Sequence, residues 1–278
     1  MSLLPTLFAA ASTSGGGGHA VDPTKPFDAL FGHVVPHAVE GLTLFGMQVW
    51  NIQIFQVLSI LLIFVAFAGV ARAVRNGTGG KRAKIAAGFV DYIVEDMIVP
   101  NIHERKHARA LAPLFLSFFF FILFMNLFGL VPFGATATAS VYVPAAMAGL
   151  TFLVMLLGGM IVQGPIKFWV NLLPHGLPAW LIPLMFIVEL IGLCVKPFAL
   201  MVRLTANMVG GHLVLLSFMG LMFFFGYGSP MAGWAVAPAS IGMAVFIMII
   251  EGFVALLQAY IFTLLSIIFV GASLHPDH

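Results

Sequence analysis

The sequence predicts an all-α integral membrane protein with about five membrane segments, an additional interfacial helix and a long hairpin near the C-terminus. Of the 278 residues, 61% are hydrophobic and only 8% are charged, whereas soluble domains have about 45–50% apolar and about 25% charged residues. From Ala110 onward only six residues carry a formal charge. Several apolar runs also reach the roughly 20 residues with which an α-helix spans a bilayer.

The charge excludes one further class of protein, and the cysteine content excludes an internal disulfide. The net charge of +2 is small and dispersed, so the chain lacks the dense basic face by which proteins bind nucleic acid. The single cysteine, Cys194, has no partner for an internal disulfide and lies in an apolar run, which is typical of a small core residue.

The first 49 residues are predicted to form a polar arm, because residues 12–45 are rich in Gly, Pro and His. The membrane domain is predicted to cover residues 50–278, and its first segment is 52–74. Five basic residues, without an acidic one among them, lie at the end of this segment or just after it: Arg72, Arg75, Lys81, Arg82 and Lys84. The positive-inside rule therefore predicts that this loop is cytoplasmic and that the arm is external.

The middle of the chain alternates between charged and apolar stretches. In residues 83–109 charges of both signs alternate with apolar residues, which predicts a helix at the cytoplasmic interface or partly submerged. Two membrane segments are predicted next, 111–133 and 141–162. The loop that joins them has no charge, as expected of a short external turn.

The last two segments, 178–225 and 234–273, are much longer than a simple span. The first would be roughly 70 Å long as one helix at about 1.5 Å per residue, against a hydrocarbon core of about 30 Å. Two arrangements are open: a break near Pro197 into two spans, or one steeply tilted helix that a large partner stabilises. A Gly- and Pro-rich cluster at 226–233 closes the hairpin.

Three charged residues lie inside the first long segment at intervals of seven: Glu189, Lys196 and Arg203. Seven residues turn an α-helix by about 700°, so the three lie on one stripe roughly 10 Å apart. Asn207, four residues further on, extends the stripe. Ionisable residues inside membrane segments are rare and usually functional.

The final segment repeats this spacing with Glu251 and Gln258. His212 follows Arg203 by nine residues, about 900° of helix, and therefore faces the opposite way.

Two interpretations fit these charges. In the structural one, Glu189 pairs with Lys196 and Arg203 pairs with Glu251, which locks the helices together. In the functional interpretation, the permanently charged Arg203 faces a carboxylate that is near it only part of the time. His212 and Glu251 would then relay protons, a role that suits imidazole and carboxyl groups.

Histidines elsewhere raise the question of a metal site. His103, Glu104 and His107 match the HExxH pattern of zinc peptidases. The pattern lies in a charged interfacial stretch, and the later carboxylates show no ligand motif, so a solvated helix face is favoured. His33 and His37 are interpreted as surface histidines. No metal and no cofactor are predicted.

Three blocks of sequence resemble subunit a of F-type ATP synthases. They are KPFALMVRLTANMVGGH at 196–212, EGFVALLQAYIFTLL at 251–265 and MNLFGLVP at 125–132. The first block keeps a long pattern at fixed spacing, made of Lys196-Pro197, Arg203-Leu204, Asn207-Met208 and Gly211. With the spacing between blocks, the resemblance covers about residues 50–273.

The resemblance implies roles for six residues. Arg203 corresponds to the family's essential arginine, which stands between two aqueous half-channels, attracts the carboxylate of the c-ring and prevents a proton short-circuit. His212 and Glu251 correspond to two proton-relay positions, which some relatives fill in the reverse order. The other three match polar or acidic positions near the arginine: Asn207, Gln258 and Glu189.

The resemblance further implies a non-catalytic, proton-translocating stator of the Fo sector, whose last two helices form a tilted hairpin against the c-ring. Its partners would be the c-ring, b-type subunits of the peripheral stalk and the lipid bilayer. It would lie in a bacterial inner membrane with its C-terminus cytoplasmic. The chain has no phosphate-binding Gly-x-x-x-x-Gly-Lys-Ser/Thr loop. A self-contained transporter or channel, usually built from repeats that are not seen here, and a structural scaffold are the alternatives.

Overall fold

The computed structural model describes residues 38–44, 47–75, 80–102, 104–130, 140–173, 178, 180–228 and 230–275. Within them, five helices are long and apolar enough to cross a membrane. The all-α membrane fold predicted from composition is thereby confirmed. The division into an arm over 1–49 and a membrane domain over 50–278 stays a prediction.

A short β-hairpin precedes the first helix and adds to the predicted all-α fold. Strand β1 (Ala38–Leu44) pairs antiparallel with β2 (Met47–Trp50), and Thr43 lies opposite Gln48. Strands this short leave only a weak alternating pattern in a sequence. Helix α1 (Asn51–Arg75) follows directly, and the Gln53 side chain accepts a hydrogen bond from the Trp50 amide at 3.1 Å, which satisfies a donor at the helix start.

Helix α1 is peripheral, since most of its apolar side chains are exposed. It packs on α4 (Arg105–Leu130) through Ser59, whose hydroxyl lies 3.0 Å from the Met125 sulfur. The rings of Phe67 and Phe120 also meet, with centroids 5.0 Å apart.

The segment predicted as one interfacial helix over about 83–109 is divided. It comprises α2 (Lys81–Asp91), a π-helical stretch (Tyr92–Ile98) and a short turn, α3 (Val99–Asn101). The chain leaves the helix at Ile102, whose φ of −119° and ψ of 94° are extended. The side-chain amide of Asn101 donates to the Met97 backbone carbonyl at 2.7 Å and so satisfies a carbonyl near the helix end.

This break moves charges into the next helix. Arg105, Lys106 and Arg109 belong to the first turns of α4 and not to the interfacial helix. Ile93, Ile98 and Ile102 are completely buried, so the preceding segment is packed into the protein core.

Helix α5 (Tyr142–Gln163) is the next long helix after α4, and a short helix that was not predicted, α6 (Pro165–Val170), follows it. Gly164 makes the sharp turn between them with φ of +92°, a backbone conformation that favours glycine. Pro165 then begins α6, where its missing amide donor is tolerated.

The last two helices form the long hairpin, α7 (Ile182–Gly228) and α8 (Pro230–Leu274). Helix α7 runs unbroken through Pro197, which decides between the two arrangements open at the sequence level in favour of a single helix. Its 47 residues correspond to about 70 Å. Cys194 of α7 was expected to be a core residue, and this prediction is wrong, because its side chain is exposed. The tilt of the hairpin in a membrane stays a prediction.

The core lies where the C-terminal half of α8 meets α4, α5 and the middle of α7. Ala259, Phe262, Ile267 and Val270 of α8 are completely buried there. The Phe262 ring packs edge-on against Phe118 with centroids 6.0 Å apart. The other half of the hairpin, toward its turn, exposes mainly apolar side chains.

Candidate functional site

The permanent charge of Arg203 lies close to the midpoint of the candidate span Ile182–Met222. Its side chain is exposed on an apolar surface that includes Val195 and Val202. The small residues Ala199 and Ala206, four before and three after Arg203, are exposed on the same face. Within the described residues, Arg203 has no ion pair or hydrogen bond. The protein thus presents an exposed guanidinium, flanked by small side chains, where a neighbouring helix can approach closely.

The remaining members of the stripe on α7 are less exposed. Glu189, Lys196 and Asn207 are half-buried. The Lys196 ammonium lies 5.8 Å from the centre of the Phe269 ring on α8, a distance at which a cation and an aromatic face attract each other. In the part of the chain that the structure describes, no ion pair joins Glu189 to Lys196 or Arg203 to Glu251. The locking pairs of the structural interpretation are therefore absent from this part.

The geometry instead brings Glu251 together with His212. The Nε2 atom of His212 lies 3.9 Å from Oε1 of Glu251, and the exposed fractions of the side chains are 12% and 5%. Neither carboxyl oxygen of Glu251 has a hydrogen bond to a described residue. The distance exceeds an ordinary hydrogen bond of about 2.7–3.2 Å, so a modest side-chain rotation would connect the two groups.

Gly211 makes room for this carboxyl group. A Cβ atom at position 211 would lie 2.5 Å from Oε1 and 2.8 Å from Cδ of Glu251. The neighbouring Gly210 has open space at the same position. Gly211 is therefore a packing requirement of the Glu251 side chain.

Gln258 lies two helical turns after Glu251 on α8 and is 5% exposed. Its Nε2 atom is buried without a hydrogen-bond partner among the described residues. Neutral polar groups in the same condition occur at four other places in the membrane helices: Asn126, Thr205, Ser240 and Thr263. These four residues were not predicted as site residues, and the signal that would find them is a neutral polar residue inside an apolar run. Buried polar groups of this kind favour hydration.

The histidines of the zinc-peptidase pattern are only partly described. His103 lies outside the described residues, as do His33 and His37. The Nδ1 atom of His107 lies 2.9 Å from Oε2 of Glu104, at the start of α4.

These features define a polytopic α-helical membrane protein with ionisable groups near the middle of two long helices. The family model described as ATP synthase A chain matches residues 53–271. The chain belongs to this family, and the resemblance noted from its motifs is confirmed.

Relatives with assigned names agree. ATP synthase subunit a of Anaeromyxobacter sp. (strain Fw109-5) is 40% identical over 262 residues, which cover 89% of this chain and 60% of the relative. The protein of the same name from Myxococcus xanthus (strain DK1622) is 39% identical over 204 residues, 72% of this chain and 65% of the relative. ATP synthase subunit a 2 of Chlorobaculum tepidum is 33% identical over 272 residues, which cover 91% of this chain and 75% of the relative. The chain thus spans about 60–65% of the length of the first two relatives.

Proposed function

We propose that this chain is the proton-translocating stator of an ATP synthase Fo sector, and that Arg203 faces the carboxylates of a rotating c-ring. The observation that carries the proposal is the exposure of Arg203 in the middle of an apolar helix surface. A charged side chain at the bilayer centre costs at least about 2.5–3.5 kcal/mol. A carboxylate supplied by a partner would offset that free energy.

The surface around Arg203 suits a ring of helices as the partner. Ala199 and Ala206 leave the α7 backbone accessible on both sides of the guanidinium, and small residues of this kind permit close packing of membrane helices. The apolar side chains beside them can slide past a partner without breaking hydrogen bonds. A moving contact needs such a surface.

His212 and Glu251 are proposed to deliver the proton from the external side. Both groups can bind and release a proton, and they are 3.9 Å apart and largely buried. Gln258 and the other buried polar atoms would support water along the two half-channels. Asn207 and Glu189 are proposed to contribute polar lining along α7.

Two free energies constrain the rotation, and the proton gradient sets its direction. A ring carboxylate must be neutralised before it can enter lipid, because a bare carboxylate is costly there. The same carboxylate, once ionised, is attracted to Arg203. This attraction keeps a proton from passing directly from one half-channel to the other. The membrane potential supplies about 2.3 kcal/mol per charge per 100 mV.

The remaining assignments are part of the same proposal. The chain would be a non-catalytic subunit that binds no nucleotide and works with the c-ring and b-type peripheral-stalk subunits. Basic residues at the end of α1 and the start of α2 would place that loop on the cytoplasmic side of a bacterial inner membrane. The C-terminus would then also be cytoplasmic.

The test is Arg203→Ala in the native membrane. Pull-down with the c-ring measures assembly, and ATP-driven acidification of inverted vesicles measures pumping. We expect an assembled complex that does not pump, whereas the control Arg109→Ala, an exposed arginine near the start of α4, should pump normally. Normal pumping by Arg203→Ala would overturn the proposal. Proton flux through the purified chain alone in liposomes would favour a self-contained channel, and loss of assembly alone would favour a scaffold.

A further inference from the structure

Three side chains with metal-ligating atoms converge where α4 begins and α8 ends. Oε2 of Glu104 lies 2.9 Å from Nδ1 of His107, and the rings of His107 and His275 have centroids 5.8 Å apart. One ligand atom from each of the three residues lies within 4.8 Å of the other two. Glu104 is exposed, and the two histidines are half-buried.

The end of α8 that carries His275 is held firmly. The Ser273 hydroxyl donates to the Met155 backbone carbonyl at 2.6 Å, and the side-chain amide of Gln163 donates to the Ser273 backbone carbonyl at 2.7 Å. The His275 amide completes the helix by donating to the Gly271 carbonyl at 3.0 Å. His275 is therefore presented to His107 by an ordered backbone, and the two residues are far apart in the sequence.

Two imidazoles and one carboxylate are a typical ligand set for zinc. Zinc binds nitrogen at about 2.0–2.1 Å and carboxylate oxygen at about 2.0–2.2 Å in tetrahedral geometry, which puts ligand atoms roughly 3.4 Å apart. The separations in this cluster, from 2.9 Å to at most 4.8 Å, bracket that value. Small side-chain rotations would suffice to close the site, and the exposed side of Glu104 would leave the fourth position to water.

We propose that Glu104, His107 and His275 form a binding site for a divalent transition-metal ion, with Zn²⁺ as its best match, that ties the start of α4 to the end of α8. The site differs from the HExxH peptidase pattern in two ways. Glu104 is a ligand and not a general base, and the third ligand is His275. The proposal is independent of the proton path, because its residues lie apart from Arg203, His212 and Glu251.

The first test is a zinc titration of the complex that contains this chain, after removal of metal by chelation and dialysis. Zn²⁺ alone is the probe, and bound metal is measured by elemental analysis. We expect the unaltered chain to bind one zinc ion. His107→Ala and His275→Ala should each lower the affinity for zinc by at least about tenfold, since even outer-shell partners of a metal contribute that much. The matched control, His37→Ala, should leave binding unchanged. Equal binding by His275→Ala and the unaltered chain would overturn the proposal, as would loss of binding by His103→Ala alone.

A second measurement avoids variants and their effects on assembly. Diethyl pyrocarbonate modifies free imidazoles, and mass spectrometry of the unaltered chain reads each position separately. Zn²⁺ should slow modification of His107 and His275 together while His37 reacts at its usual rate. Unchanged reactivity of His107 and His275 at saturating Zn²⁺ would overturn the proposal.

Discussion

His212 on α7 and Glu251 on α8 face each other across the long hairpin, with Nε2 and Oε1 3.9 Å apart and both side chains largely buried. Arg203 is exposed on the opposite face of α7. The hairpin therefore separates an exposed permanent charge from a titratable pair enclosed between its own helices. The proposed proton relay requires such a separation, whereas interhelical locking would place Arg203 against Glu251.

Replacement of Glu251 by Gln tests the relay. Because the amide cannot carry the proton onward, ATP-driven pumping should fall by about tenfold or more, given that a positioned acid or base contributes about 10²- to 10⁴-fold. The double variant His212→Glu with Glu251→His restores one acid and one imidazole and should recover part of the rate. Vesicle acidification at equal c-ring content is the measurement. Full activity of Glu251→Gln would contradict the relay.

Alanine at Gly211 tests whether the carboxyl position matters. The new methyl group would displace Glu251, from which it would otherwise be separated by 2.5 Å. We expect pumping to fall several-fold, by an amount that vesicle acidification can measure. Gly210→Ala is the matched control, because a methyl group there meets open space and both changes alter helix propensity equally. Equal rates in the two variants would show that Glu251 tolerates displacement.

Gly271→Ala addresses the packing of α8 and not proton transfer. A methyl group at Gly271 would collide with the backbone of Asn101, whereas one at Gly242 meets nothing within 4 Å. Overpacking of this kind destabilises proteins by about 1–3 kcal/mol. Thermal unfolding of the solubilised complex should show a lower Tm for Gly271→Ala and no decrease for Gly242→Ala. The opposite order would contradict the contact.

Gln163→Leu should loosen the C-terminal turns of α8. The Gln163 amide donates to the Ser273 carbonyl at 2.7 Å, and its oxygen accepts from Asn171 at 2.9 Å. Loss of both bonds leaves partly buried groups unsatisfied, at up to about 1–3 kcal/mol each. Hydrogen exchange of residues 268–275 should accelerate, and Asn171→Leu, which removes only the second bond, should have a smaller effect. Unchanged exchange in Gln163→Leu would contradict this anchoring.

The membrane helices could be predicted because an apolar run of about 20 residues is visible in composition alone. The points at which a helix breaks or continues depend on the local backbone conformation. The break at Ile102 and the continuity of α7 through Pro197 are settled by packing, which spacing does not record. Helix α6 and the β-hairpin are short elements with weak periodic signals.

The candidate site was partly visible for a similar reason. Charges stand out in an apolar helix, so Arg203 and Glu251 could be singled out from sequence. The functional interpretation already joined His212 to Glu251, but it could not be chosen over the locking pairs, because spacing fixes positions on one helix and says nothing of how two helices are rotated against each other. The proximity of Glu251 to His212, and the space left by Gly211, required the assembled hairpin.

The uneven packing of the long hairpin has a mechanical consequence. One half of α8 is enclosed by α4 and α5, while the half toward the turn projects with its apolar sides exposed. Such an arrangement behaves as a cantilever: a sideways load on the projecting part bends it most where it leaves its support. That point lies around Gly252, where an added Cβ would still meet Leu130 at the end of α4, and Ala255, which is buried. The stiffness of the hairpin against such a load thus depends on side-chain packing near the middle of α8, far from the turn.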